Sequence, residues 1–263
     1  MIDIHCHFLP GLDDGARDAS DTERMLQIAA ESGTTHLVAT PHADPRFAYD
    51  PERVDRLLEE ARAAAPPGLQ LFRGCDFHLM LDNILDAIEH PRRYTINGGR
   101  YLLIELSDIV IFPNTPELFG RLEQAGMTLI VSHPERNPIL RRRPHLISEW
   151  CEQGRLMQVT ASSLLGFWGP QVQSFARRLL EQGLVHIVAS DGHHPRTRPP
   201  RLDEARAWVE RRYGLETARL LFETNPLAVI EDRPLDPGQV LTCKRVAGKL
   251  SFLRRLFGRG NQD

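Results

Sequence analysis

Apolar runs of strand length recur along this chain, and longer amphipathic stretches separate them. The runs fall at 2–5 (IDIH), 35–40 (THLVAT), 69–75 (LQLFRGC), 101–106 (YLLIEL), 128–132 (TLIVS), 156–160 (LMQVT) and 185–190 (VHIVAS). Helical patterns lie between them at about 20–32, 51–65, 80–89, 115–125, 141–153, 170–182 and 201–212, with another over 215–223. Strands alternating with helices build βαβ units around a parallel sheet. Seven strands in roughly 230 residues favour a closed or nearly closed barrel, and their irregular spacing predicts a distorted one. An open doubly wound sheet is the alternative. The expectation is an α/β fold in a single domain over residues 1–233.

The strand ends add a second constraint. His5 ends the first strand, His42 follows the second, and Asp76 follows the third. Glu105 lies at the end of the fourth, His133 ends the fifth, and Asp191 and His193 close the seventh. In a parallel barrel these ends converge on one rim, where active sites are built. Taken singly, each residue has an ordinary explanation. His5 and His7 are two apart in a strand and face one side, as a core pair would. Asp13 and Asp14 before Gly15 suit a turn, His42 suits a loop, and Asp76 or Asp191 suits a helix cap. Glu105 is harder to explain, because an acid buried in YLLIEL needs a partner or a metal. Scattered surface residues would not repeat this placement, so the set reads as a metal site. His36 and His186 start strands at the opposite end, and His90 and His145 fall in helical or turn segments. His78 lies near the site.

Composition removes several function classes. A formal net charge of −3 and a pI of about 6.4 argue against nucleic-acid binding. No signal peptide and no window of ~18 apolar residues is seen. Cys6, Cys75, Cys151 and Cys243 are far apart without a C-x-x-C pair, as expected of a reduced, cytoplasmic chain. Lysine is absent before Lys244, which excludes Schiff-base, P-loop and carbamylated-lysine chemistry in the main body. His5-Cys6 opens like the H-C-x5-R motif of thiol-dependent phosphatases, but Leu12 stands where the arginine belongs. Residues 234–263 comprise a turn-rich linker, PLDPGQ, and a basic amphipathic tail containing KRVAGKLSFLRRLFGRG. That tail reads as a partly helical or frayed terminus, or as a contact for an acidic membrane surface or a partner.

The segments MIDIHCHFLPGLDDGA, ATPHAD, GCDFH, LLIEL, SHPERN and SDGHHPRTRP, in this order, resemble the PHP (polymerase and histidinol phosphatase) superfamily. More closely, the chain resembles the bacterial capsule-associated, manganese-dependent protein tyrosine phosphatases of the CpsB/YwqE type, over about residues 1–230. The resemblance implies a distorted (β/α)7 barrel, the PHP fold, binding three divalent metal ions through nine side chains. One ion would take His5, His7, Asp76 and Asp191. A second would share Asp76 and add Glu105 and His133. A third would take Asp14, His42 and His193. The choice of Asp14 over Asp13 comes from the resemblance. Asp76 stands where the superfamily commonly has Glu, one methylene longer. Mn is the metal implied, and the ligand set also suits Fe, Zn or Mg.

Arg136 and Arg198 would bind phosphate bidentately, with Arg196 in reserve. His193 or Asp14 would protonate the leaving oxygen. The implied reaction is hydrolysis of phosphotyrosine by metal-activated water. The implied substrate is the tyrosine-rich tail of a bacterial kinase controlling exopolysaccharide export. A small-molecule phosphoesterase such as histidinol phosphatase shares the same ligand set and is the alternative. From other classes, a nuclease-related module or a purely structural metal domain fits less well. The acidic balance opposes the first. Gly11, Gly15, Gly192 and the flanking arginines suit an open pocket rather than a closed structural cluster. A homo-oligomer is compatible with this reading.

Overall fold

The computed structural model describes residues 1–235, so the basic tail expected from the sequence lies outside the described residues. The strands are β1 (Ile2–Cys6), β2 (His36–Ala39), β3 (His42–Ala43), β4 (Gln70–Arg73), β5 (Asp76–His78), β6 (Tyr101–Glu105), β7 (Thr128–Ser132), β8 (Leu156–Thr160) and β9 (Ile187–Ala189). Every pairing between them is parallel. Strands buried on both faces need no polar alternation, which is why β1 and β8 are buried at every position.

The helices are α1 (Ala19–Glu31), α2 (Pro51–Ala64), α3 (Leu81–Glu89), α4 (Thr115–Gln124), α5 (Pro138–Arg142), α6 (His145–Glu152), α7 (Ala161–Leu165), α8 (Pro170–Glu181), α9 (Asp203–Tyr213), α10 (Leu215–Arg219) and α11 (Asn225–Ile230). Local chemistry sets several boundaries. Asp18 caps α1 by accepting from the Asp21 amide, and Asp50 caps α2 ahead of Pro51. No helix among the described residues is long and apolar enough to cross a membrane.

The expected seven strands are nine among the described residues, in two sheets. One has the order β1-β2-β4 and the other β3-β5-β6-β7-β8-β9. The run 35–40 stops at Ala39, and the chain resumes as β3 after Thr40 and Pro41. Pro41 has no N–H to extend the ladder. The run 69–75 stops likewise at Arg73 and resumes as β5 after Gly74 and Cys75. A Cβ at Gly74 would lie 2.9 Å from Val38 Cγ1, so the crossing is too close for a side chain. The chain therefore steps twice from the first sheet to the second. After both steps, His42 pairs with Asp76 in register. The sequence placed these two residues beyond their strands; they open new ones. At the other end of the second sheet, the Asp191 N–H donates to the His5 carbonyl (2.9 Å) and the His7 N–H to the Gly192 carbonyl (2.8 Å).

Three helical expectations also change. The pattern at 141–153 divides into α5 and α6 at Arg143–Pro144, where proline interrupts the backbone ladder. The five-residue α7 escaped notice because it is too short for a period. The helix expected over 215–223 continues to Ile230 through a π turn at Leu220–Thr224. Pro226 follows that turn and cannot donate to the preceding helical turn, which the wider turn accommodates.

Phe119 of α4 and Trp150 of α6 are buried against each other edge to face, with ring centroids 5.3 Å apart. Phe119→Ala should therefore cost about 3–5 kcal/mol of stability. Urea unfolding followed by circular dichroism measures this. A loss under ~1 kcal/mol would mean that the neighbours collapse into the space.

Candidate metal centre

β1 and the residue that follows it aim two imidazoles at one point. The Nε2 atoms of His5 and His7 lie 3.1 Å apart, and each Nδ1 is held from behind. His5 Nδ1 meets Gln158 Oε1 at 2.9 Å, and His7 Nδ1 meets Asp13 Oδ2 at 2.7 Å. An acceptor behind Nδ1 fixes the tautomer that leaves an Nε2 lone pair free for a metal. Asp13 and Asp14 separate clearly. Asp13 also accepts the amides of Gly15 (2.9 Å) and His42 (3.0 Å), so its oxygens hold the turn and a neighbouring strand. Asp14 is half-exposed and sits 3.3 Å from His42 Nε2 and 3.5 Å from His193 Nε2. The turn needs Gly15, because a Cβ there would fall 2.1 Å from the His7 carbonyl oxygen. Asp3 holds backbone, accepting the amides of His5 (3.3 Å) and Ser190 (3.0 Å).

The second sheet supplies the remaining groups. Asp76 Oδ2 lies 3.5 Å from His5 Nε2 and 3.2 Å from His42 Nδ1. Glu105 stands 3.4 Å from His42, 3.6 Å from His133 and 2.6 Å from His78. Asp191 Oδ1 faces His5 (3.4 Å), His7 (3.7 Å) and His193 (3.3 Å). His133 and Asp191 have φ of +29° and +52°. Non-glycine residues are uncommon there, and such strain concentrates at functional sites.

All nine sequence-predicted side chains thus converge. Among the described residues, five groups of three or four offer ligand atoms within 4.8 Å of one another. Asp76, Glu105 and His133 form one group as expected, and Asp14, His42 and His193 form another together with His7. His5 and His7 group with Asp76, whereas Asp191 groups with His5 and His133. His78, expected only to lie near the site, joins His42 and Glu105. The donors fit divalent ions by chemistry and by burial. Asp76 is wholly buried, and neither of its oxygens accepts a hydrogen bond from the described residues. Such a carboxylate needs cations around it, and imidazole with carboxylate suits Mn, Fe, Zn or Mg.

The charges are strongly coupled. Burial alone would lower the His5 pKa, but the carboxylates of Asp191 and Asp76 outweigh it and hold it at about 9. Burial likewise opposes His42, which Asp14 and Asp76 raise to about 11. Asp76 and Asp191 stay far below the usual carboxylate range despite burial, held down by His5 and by Arg136 respectively. Burial, aided by His7, pulls His193 down to about 3. Asp14 is lowered chiefly by its bond to His42.

Both predicted arginines reach this cluster. Arg136 and Arg198 donate to the same oxygen, Asp191 Oδ2, Arg198 at 2.7 Å. A cavity of about 470 Å³ opens beside Asp191 and Arg198, walled by Leu165, Phe167 and Pro199. Cys6 is fully buried, its thiol pKa raised by burial, so it packs the core. Two supporting residues went unread in the sequence. Gln158 gave a signal, as a polar residue inside LMQVT. Glu135 is buried in HPERN and accepts from both the amide and the hydroxyl of Thr160 (2.9 and 3.0 Å). The amide of Arg196 donates to His194 Nδ1 (3.1 Å).

Comparison with known proteins agrees with this geometry. The family model for capsular polysaccharide synthesis, CpsB/CapC, matches residues 1–231. The tyrosine-protein phosphatase YwqE of Bacillus subtilis is 32% identical over 237 residues, covering 86% of this chain and 91% of the relative. The tyrosine-protein phosphatase CpsB of Streptococcus pneumoniae is 28% identical over 242 residues, covering 89% and 99%. A crystal structure from work on these two proteins, described as metal-dependent tyrosine phosphatases, superposes with a TM-score of 0.82 at 31% identity. That match covers 90% of this chain and 96% of the other.

The raised histidines make metal binding a proton-releasing event. Both His5 and His42 hold a proton at pH 8 in metal-free protein, given pKa values of about 9 and about 11. Their stabilisation is fully present below the ordinary histidine pKa and is lost as pH rises through these values. Adding Mn²⁺ at pH 8 should release protons, and His5→Ala should reduce the count by about one. A pH-stat titration measures the release; proton-neutral binding would contradict these charge assignments.

Proposed function

The chain belongs to the CpsB/CapC family of capsular polysaccharide synthesis, and from that premise we propose that it is a metal-dependent protein-tyrosine phosphatase. One observation carries the reading. Asp191 is at once a member of the metal-capable cluster and the shared acceptor of two guanidinium groups. A phosphoryl group at that edge would meet cationic forks on one side and the carboxylate–imidazole cluster on the other. Divalent ions would supply positive charge for the phosphoryl oxygens and activate the attacking water.

The chain's own residues would do the rest. Arg136 and Arg198 would grip the non-bridging oxygens through paired N–H groups. The nine-residue set would hold the ions, which we take to be three, with Mn the first choice. His78 would orient Glu105, and Gln158 and Asp13 would orient His5 and His7. For His193 and Asp14, the proton donors expected from the sequence, burial lowers the pKa of the first to about 3 and His42 lowers that of the second, which favours ion binding as their main role. Tyrosine, with a pKa of about 10, is a leaving group that needs little protonation. The cavity beside Arg198 is of a size that admits an aromatic side chain.

We further read the two sheets as one distorted (β/α)7 barrel within a domain spanning 1–233. The hydrogen bonds between β1 and the segment after β9 support that closure. The substrate in this reading is a phosphorylated tyrosine kinase of exopolysaccharide export, met in the cytoplasm.

Chelation followed by Mn restoration, with hydrolysis of a phosphotyrosine peptide and of histidinol phosphate compared, tests the proposal. The peptide should be the better substrate, metal content should approach three per chain, and Asp191→Ala should be inactive. Arg136→Ala should lower kcat/KM about 10²-fold. Restored protein that hydrolyses neither ester, or an Asp191→Ala variant as active as wild type, would sink the phosphatase reading.

A further inference from the structure

Trp168, in the segment GFWG at 166–169 between α7 and α8, has no part in the reading above, yet it reaches the arginines. Gly166 and Gly169 take φ of +96° and +86°, which lets the chain turn at both ends of the aromatic pair. Arg136 Cζ lies over the Trp168 ring, 4.3 Å from its centroid, and Arg198 Cζ lies 5.3 Å from the same ring. Two guanidinium groups from different loops thus meet one indole.

That indole is itself anchored. Its Nε1–H donates to Ser162 Oγ at 3.0 Å. Ser162 Oγ donates to Thr160 Oγ1 at 3.4 Å, and Thr160 donates to Glu135, the neighbour of Arg136 in the chain. The connection returns to its origin: Glu135 through β8 and α7 to Trp168, and from Trp168 back to Arg136. Stacking engages the face of a guanidinium and leaves its in-plane N–H groups available. Arginine otherwise carries large rotamer freedom, which a fixed ring reduces before any ligand arrives.

We propose that Trp168 is a positioning residue for phosphate capture: its anchored indole holds the Arg136 and Arg198 guanidinium groups with their N–H edges turned to the phosphoryl group. This rests on the phosphatase reading for what the two arginines bind. Trp168 acts through them and does not touch the reacting atoms.

The test uses Mn-restored protein of the full sequence: wild type, Trp168→Leu and Trp168→Phe. Calorimetric titration with inorganic phosphate is read beside hydrolysis of a phosphotyrosine peptide. Trp168→Leu keeps apolar bulk without a π face, and should weaken phosphate binding and raise KM about tenfold, with a smaller change in kcat. Trp168→Phe should recover most of the loss. Phosphate affinity unchanged in Trp168→Leu overturns the inference. If that variant does not fold, Ser162→Ala decides: it releases the indole N–H and should weaken phosphate binding by a smaller factor, while an unchanged affinity overturns the inference. Wild-type protein that binds phosphate but hydrolyses no phosphotyrosine refutes the phosphatase reading alone, and the phosphate titrations still judge Trp168.

Discussion

Asp76 sits in the interior with no hydrogen-bond donor among the described residues on either carboxylate oxygen, and its neighbours are the imidazoles of His5 and His42. Bringing a carboxylate out of water costs several kcal/mol unless positive charge accompanies it. Here Asp191 adds a second buried carboxylate and Glu105 a third, partly covered. The surrounding architecture answers that demand. Histidines arrive from β1, β3 and the loops after β7 and β9, and arginines from the last two loops. The carboxylates must be met by protons on imidazole, by guanidinium or by divalent ions. That requirement couples the stability of the fold to the occupancy of the site.

Much of this could be read in the sequence because it rests on short-range periodicity. His5 lies in β1 and His7 one residue beyond its end, and the period of two read from the sequence still brings them to one side. Glu105 stood out because an acid inside an apolar strand has few ordinary explanations. The repetition of polar residues at strand ends carried the rim, even though two of those ends proved to be the openings of β3 and β5. Family resemblance did the finer work at Asp13 and Asp14, which local rules cannot separate. The structure gives them different tasks because the Gly15 turn aims one at His7 and the other at His193.

What stayed hidden depends on contacts between distant segments. The breaks at Thr40–Pro41 and Gly74–Cys75 left only a proline and a glycine as traces, within runs that otherwise read as continuous. Gln158 matters because His5 lies behind it, and nothing in LMQVT names that partner. In the sequence Trp168 is only an aromatic residue beside Gly169. Its meeting with Arg136 and Arg198 exists only after three loops have been brought together.

The bond between the Ser190 amide and Asp3 joins residues 187 positions apart in the chain. It lies beside the backbone links that tie β1 to the segment after β9. During synthesis the N-terminal strand emerges first, and its histidines must wait for Asp191 and His193 before their surroundings are complete. Contacts of such long range form slowly, since loop closure must precede any gain from them. The cluster therefore cannot assemble on an early fragment, and a nascent chain shorter than this span would lack Asp191, His193 and the segment that bonds to β1. The site thus needs both ends of a span of nearly two hundred residues to be present.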